Sequence, residues 1–302
     1  MKRFVGVAIL LALVVWLAPV EGAVYKLYYL GGQSNMDGYG AVSELPEELK
    51  QPAGGVRIYQ SSAEADNTPI DGAGKWSPLL PGHGRSFKSD GVTNTYSDRF
   101  GVELTLARRL RELDPTSYIA FIKYSKGGTS IYADAAGDFG CWEPDFDKGN
   151  GINQYDHFLA TLRRALEVRD IDGDGTEDTL IPAGIVWMQG ESDANDEAIA
   201  KQYEANLKRL MDLVRAALRV DDLPVVIGRI SDSGQDADGK VWDYGRTVRR
   251  AQADFCAKDA CAALVTSTDK YGYSDKWHYD TAGYIDLGIQ FAEALHALQE
   301  KR

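Results

Sequence analysis

Ser34, His278 and Asp275 are the side chains whose types and spacing can carry nucleophilic chemistry. Ser34 lies in Gly32-Gln33-Ser34-Asn35-Met36, among small, turn-forming neighbours, four positions after an apolar run ends at Leu30. An unassisted serine hydroxyl is a poor nucleophile at neutral pH, so it needs a base within hydrogen-bond reach and a third group to orient that base. Asp275-Lys276-Trp277-His278 supplies both. One turn of chain can bring the Asp275 carboxylate onto Nδ1 of His278, which leaves Nε2 to face Ser34. The plainer reading of Ser34 is a helix cap, and that of Asp275 is a charge ahead of the helical stretch that begins at Thr281. Of the other histidines, His157 and His296 fall beside the apolar stripes of their helices, which implies solvated surface positions. His83, in Gly82-His83-Gly84 within the long insertion, either lines a substrate cleft or, the favoured reading, sits in an exposed loop. Acyl transfer also needs donors for a developing oxyanion. The candidates are the backbone N–H of Ser34, that of Gly127 or Gly128, and the side-chain amide of Gln189. Glu191 either structures its own loop or competes with Asp275 for His278.

These residues must be positioned by a scaffold, and its pattern is plain. Apolar runs at Val24 to Leu30, Tyr118 to Tyr124, Ile181 to Met188, Pro224 to Ile230 and Ala262 to Thr266 suit strands buried on both faces of a parallel sheet. Helical patterns separate them at 101–113, 153–169, 197–218 and 242–257, and Tyr284, Leu287, Gly288, Phe291, Leu295 and Leu298 make a buried stripe on a last helix. The alternation predicts a three-layer α/β/α domain over residues 23–302, with a central parallel sheet of about five strands. Ser34, Gly127-Gly128, Gln189-Gly190-Glu191 and Asp275/His278 all follow strand ends, where an open parallel sheet collects its ligands. Residues 37–100 break the rhythm. They are rich in Gly, Pro, Ser and Asp, hold one brief strand candidate at Val56 to Tyr59, and are expected to form a long ordered insertion.

Read together, GGQSNM at 31–36, FGVEL at 100–104, KGGTSI at 126–131, WMQGESDA at 187–194 and DKWHYDTAGY at 275–284 resemble the SGNH hydrolases. The likeness is to their sialate O-acetylesterase-like and family 6 carbohydrate esterase (acetylxylan esterase) group, and it spans about Leu30 to Gly288. The resemblance implies a flavodoxin-like sheet, no catalytic metal, and removal of acetyl groups from carbohydrate hydroxyls. It implies Ser34 as nucleophile, His278 as base and Asp275 as its partner, with Ser34, a glycine of the 127–128 pair and Gln189 as the oxyanion hole. The wider superfamily carries Asn where this sequence, like its subgroup, has Gln189, and the subgroup's acidic role is also assigned to the glutamate matching Glu191.

Composition narrows the partners. Residues 1–22 read as a secretory signal: Lys2 and Arg3 precede an apolar run from Phe4 to Pro19, shorter than the roughly 20 residues of a spanning helix. Cleavage would leave no stable membrane anchor, move the net charge from −12 to −13, and place the protein in the periplasm or medium. That charge repels phosphate backbones and anionic lipid, which argues against nucleic-acid partners. An exported chain meets oxidising conditions, so Cys256 and Cys261 can close a small loop, with Cys141 left over. An acetylated poly- or oligosaccharide such as xylan fits best, with Trp142, Trp277, Tyr279 and Tyr39 offering flat faces to sugar rings. O-acetylated sialic acid is the alternative, with Arg85, Arg99 or Arg229 as possible clamps for its carboxylate, and a non-catalytic carbohydrate-binding protein is a third reading. Separately, Asp170, Asp172, Asp174 and Asp178 occupy positions 1, 3, 5 and 9 of an EF-hand-like loop with Gly175 at position 6. Position 12 is Ile181, so any calcium there would be structural and incompletely ligated; the same residues also serve as plain turn formers.

Overall fold

The apolar run that begins at Val24 is a strand because both of its faces are covered: Tyr25, Leu27, Tyr28, Tyr29 and Leu30 are each at most 2% exposed. The computed structural model describes residues 1, 21–62, 71–147 and 152–301, so nearly all of the expected signal segment lies outside the described residues. The run is β1 (Val24–Gly32). The insertion contributes β2 (Gly40–Ala41), β3 (Val56–Gln60), β4 (Ser77–Pro78), β5 (Lys88–Ser89), β6 (Asn94–Thr95) and β7 (Arg99–Phe100). The remaining runs become β8 (Tyr118–Ser125), β9 (Thr179–Met188), β10 (Val225–Gly228) and β11 (Ala262–Val265).

The main sheet has seven strands in the order β11-β10-β9-β1-β8-β3-β4. All neighbours run parallel except β3 and β4. The sheet thus exceeds the expected five strands because the insertion supplies β3 and β4 at one edge. The chain leaves β1, fills one side through β3 and β8, then returns to fill the other through β9, β10 and β11. That reversal makes β1 the topological switch point, the place where open α/β sheets bind ligands at their carboxyl ends. Helices flank the sheet: α1 (Ser34–Asp37), α2 (Glu103–Leu113), α3 (Gln154–Glu167), α4 (Glu197–Ala200), α5 (Tyr203–Leu218), α6 (Gly245–Lys258) and α7 (Thr281–Gln299). The single helix expected over 197–218 is two, interrupted at Lys201 and Gln202. Helix α2 packs on α7, and α5 on α6. No helix among the described residues is long and apolar enough to cross a membrane.

Two fold features bear directly on the site. Gly32 ends β1 at φ 143°, and a Cβ there would lie 2.0 Å from the Met188 carbonyl oxygen, so only glycine lets β1 and β9 run together to the serine turn. Behind that turn lies a sealed ion pair, Lys123 Nζ with Glu103 Oε2 at 2.9 Å, both side chains at 0% exposure. Lys123 also donates to the carbonyls of Asp37 (2.9 Å) and His83 (2.8 Å), so one ammonium ties β8, α1, α2 and the 82–88 loop. Removing one partner leaves a buried charge uncompensated. Glu103→Ala should therefore lose about 3–5 kcal/mol in denaturant unfolding, and the paired change Glu103→Leu with Lys123→Met should recover part of it. A single variant that unfolds at the same midpoint would show the pair to be inert.

Three sequence expectations are corrected by packing. Cys256 and Cys261 are free thiols. Cys256 stays in α6, where burial pushes its thiol up to about 12, and the following turn is closed by the Asp259 carboxylate accepting from Cys261 N at 2.8 Å. His157 is not a surface residue: it is 3% exposed, stacked on Tyr124 at 5.7 Å and 7°, and burial lowers its pKa. His83 is fully buried, stacked on Phe87 and met edge-on by Tyr96.

Candidate active site

Above the carboxyl ends of β1, β8 and β9 lies a cavity of about 640 Å³, whose wall includes Ser34, Asp37, Gly127, Gly128, Glu191 and His278. Residues 244 positions apart in the chain are brought together there by the switch-point topology. Ser34 is the first residue of α1, where the backbone N–H groups of an opening turn have no intrahelical acceptor. His278 is buried, and its Nδ1 lies 2.7 Å from Asp275 Oδ2. The other Asp275 oxygen accepts from the N–H groups of Trp277 (2.7 Å) and His278 (2.9 Å), which fixes the carboxylate against the ring. Asp275 therefore orients His278, in the i, i+3 arrangement the sequence suggests. No hydrogen bond joins Ser34 to His278 in this resting arrangement; such bonds often tighten only when substrate aligns the groups.

Electrostatics keep the imidazole neutral. Burial lowers the His278 pKa, and the Asp275 hydrogen bond and charge oppose that only in part. For Asp275 burial pushes up, but the bonds from the His278 ring and the two N–H groups prevail and hold the carboxyl below its ordinary value. Tyr39 lies flat on the His278 ring, 3.5 Å between centroids and 6° between planes, and the Arg85 guanidinium sits 5.2 Å over the Tyr39 ring. Tyr39, expected among the faces for sugar, covers the base and also lines the cavity.

Glu191 is not the partner of His278. Its Oε1 accepts from Asn35 Nδ2 at 2.8 Å, while Asn35 Oδ1 accepts from the Tyr284 hydroxyl at 2.8 Å, so the glutamate braces the serine turn against α7. Burial raises the Glu191 pKa. The oxyanion expectations divide in the same way. The Gln189 amide is fully buried and both of its N–H groups are committed, to Thr129 O (3.0 Å) and Asp193 Oδ2 (2.6 Å), so it braces the 126–131 loop rather than facing the cavity. Gly127 N–H donates to Asp37 Oδ2 at 2.8 Å. The N–H groups of Ser34 and Gly128 have no partner among the described residues, and Gly128 holds φ 76°, which glycine adopts without strain. Asp37 and Asp193 were not anticipated. Their only signal was position: Asp37 stands one turn after Ser34, and Asp193 two residues after Glu191.

Of the four aromatics offered to sugar rings, Trp277 and Tyr39 line the cavity and Trp142 and Tyr279 do not. Trp277 is 47% exposed and lines the cavity. Trp142 is 1% exposed, edge-on to Trp187 at 5.0 Å, with Nε1 donating to Thr129 Oγ1; Tyr279 is 1% exposed and its hydroxyl oxygen accepts from Ser231. Both are core. Arg85 lines the cavity, whereas Arg99 donates to the Tyr39 carbonyl and Arg229 pairs with Asp269. In the acidic loop, oxygens of Asp170, Asp172 and Asp174 lie within 4.8 Å of one another. Asp178 turns away, accepting from Ala23 N (3.0 Å) and Ile171 N (2.8 Å), so it anchors the start of β1 and is withdrawn from any ion site.

A parallel sheet with a serine at its switch point and an Asp-supported histidine facing the same cavity defines an SGNH-type hydrolase. Residues 24–297 match the carbohydrate esterase, sialic acid-specific acetylesterase family, and the chain belongs to that family. It is 25% identical over 289 residues to a probable carbohydrate esterase of Arabidopsis thaliana, covering 89% of each protein. Among solved structures, a carbohydrate acetylesterase from Xanthomonas citri superposes with a TM-score of 0.64 at 18% identity, over 92% of this chain and 57% of that one. NanS superposes with a TM-score of 0.61 at 16% identity, over 94% of this chain and 100% of that one. At these identities the superpositions establish the fold.

Proposed function

We propose that this protein is an exported carbohydrate O-acetylesterase that deacetylates hemicellulose such as acetylated xylan through an acyl-enzyme on Ser34. The observation that carries the reading is the 2.7 Å Asp275–His278 pair opening onto the same cavity as Ser34. His278 Nε2 takes the Ser34 proton as Oγ attacks the acetyl carbonyl, and the tetrahedral oxyanion is met by the N–H groups of Ser34 and Gly128. Collapse breaks the bond to the sugar oxygen, which leaves with the proton from His278. Water, deprotonated by the same imidazole, then releases acetate and restores Ser34. General base assistance contributes typically about 10²–10⁴-fold, and each oxyanion donor about 10²–10³-fold.

A neutral polysaccharide suits an acidic chain, and Trp277 offers an exposed ring at the cavity edge. One observation favours the sialate reading instead: Arg85, Lys88 and Lys126 all line the cavity, and together they would suit a carboxylate. Acetate release from acetylated xylan and from O-acetylated sialic acid, measured side by side on the mature protein, separates the two. We expect kcat/KM on acetylated xylan to exceed that on the sialic acid by at least about tenfold, a difference of about 1.4 kcal/mol in transition-state binding. The reverse order would assign the cationic wall to substrate and overturn the xylan reading.

A further inference from the structure

The cavity extends well past the reacting serine. Its far wall is the carboxyl end of β3 and the 82–88 loop, including Gln60, Ser62, Arg85, Ser86 and Lys88. Strands β1, β8 and β3 are successive neighbours, so Gln60 stands two strand spacings, about 10 Å, across the sheet from the strand that delivers Ser34. That distance leaves room for the sugar ring whose acetyl group reaches Ser34.

Gln60 is 8% exposed, and its amide is oriented by a buried neighbour: Oε1 lies 2.8 Å from His83 Nδ1. His83 has no exposure, and burial, with the nearby Lys123 charge adding to it, pushes its pKa down to about 3, so the ring is neutral. A neutral imidazole facing an amide oxygen carries its proton on Nδ1, which leaves only the Nε2 lone pair unpaired. The reverse amide orientation would bury an orphaned N–H instead, the rarer and less tolerated arrangement. With Oε1 held by His83, the Gln60 Nε2 group has no partner among the described residues. It is not sealed in as His83 Nε2 is, and Gln60 lines the cavity. The loop that closes over His83 is itself strained: Ser86, on the cavity wall, holds φ 72°, a conformation that costs a non-glycine residue on the order of 1–3 kcal/mol and tends to persist at functional sites.

We propose that Gln60 is a substrate-binding residue, fixed by His83 so that its Nε2 donates a hydrogen bond to an oxygen of the sugar ring or a neighbouring hydroxyl while the acetyl group sits at Ser34. This rests on the esterase reading above. His83 acts through Gln60 and is a positioning residue.

The test is steady-state kinetics of Gln60→Met on acetylated xylo-oligosaccharides and on 4-nitrophenyl acetate, which has no sugar to bind. Loss of one such hydrogen bond should raise KM for the saccharide about tenfold, with kcat moved much less, and lower kcat/KM far more for the saccharide than for the small ester. Because the single change orphans the His83 N–H, the double variant Gln60→Met with His83→Phe removes both partners and should show the same KM rise at a thermal midpoint closer to the parent. A saccharide KM that stays within twofold in both variants overturns the assignment, as does an equal loss on the two substrates, which would mean a structural role alone. If the unaltered protein hydrolyses 4-nitrophenyl acetate but no acetylated sugar, the carbohydrate reading and this one fall together.

Discussion

Ser34→Ala should lower kcat for acetyl ester hydrolysis by about a millionfold, the scale seen when the nucleophile of a serine hydrolase triad is removed, and should leave thermal unfolding where it was. The activity loss follows from chemistry: without Oγ no acyl-enzyme forms, and His278 and the oxyanion donors have only direct attack by water to assist. The unchanged fold follows from packing. Ser34 Oγ makes no hydrogen bond to another described residue, so its removal orphans no buried group, and the turn is held by backbone bonds from Met36 and Asp37 to the Gln33 carbonyl. Reaction with a serine-directed phosphonate followed by mass measurement should place the adduct on the peptide that holds Ser34, and the variant should stay unlabelled. Labelling elsewhere, or turnover within tenfold of the parent, would remove Ser34 from the mechanism. Sugar binding by a protein that neither turns over nor labels would restore the third reading, a non-catalytic carbohydrate-binding protein.

Local features of both fold and site were legible in the sequence. Strands such as β1 and β8 read as continuous apolar runs because a parallel sheet covers both of their faces. The Asp275–His278 pair was legible for a similar reason, since three residues of separation place the partners within one turn. The bonds between motifs were not. Asn35 with Glu191 and Gly127 with Asp37 join residues 156 and 90 positions apart, and nothing in either motif says which polar group its neighbour will take. The same gap explains Gln189: its residue type suits an oxyanion donor, but Thr129 and Asp193 hold its amide. His83 and His157 were placed at the surface from residue type and local pattern, whereas their burial is decided by ring stacking on Phe87 and on Tyr124. Strand β3 showed in the sequence as the brief candidate Val56 to Tyr59, whereas β4, two residues in a Gly- and Pro-rich insertion, gives no period to read. Because the insertion was read as a decoration rather than as an edge of the main sheet, the far wall of the cavity, and Gln60 with it, stood outside the expected site.

Asp275→Asn should lower kcat/KM by about 10³–10⁴-fold while leaving the protein folded, because the carboxylate selects a tautomer as well as a position. With Asp275 ionised, His278 Nδ1 donates its proton to the carboxylate and Nε2 is the free base. An asparagine amide that turns its N–H₂ toward Nδ1 stabilises the opposite tautomer, with the proton on Nε2, and Ser34 then faces a donor where it needs an acceptor. The pH profile carries a second sign. His278 must be neutral to act as base, and burial holds its pKa below the ordinary 6.5, so the acid limb of kcat/KM for the parent should fall below pH 6.5. The Asp275 carboxylate raises that pKa against burial, whereas the Arg85 charge lowers it. Removing the carboxylate charge should therefore move the limb of the residual activity to still lower pH, and removing the cation with Arg85→Gln should move it up. Both shifts are read from kcat/KM on 4-nitrophenyl acetate across pH 4 to 8. A limb that stays in place in Asp275→Asn, or a loss of less than tenfold, would mean that another group orients the base. Glu191 is not free to do so, because Asn35 holds it against the serine turn and its pKa is already raised by burial. Equal and parallel losses in Glu191→Gln and Asp275→Asn would overturn that division of labour, whereas a Glu191→Gln variant that retains its acid limb confirms a bracing role acting through Asn35.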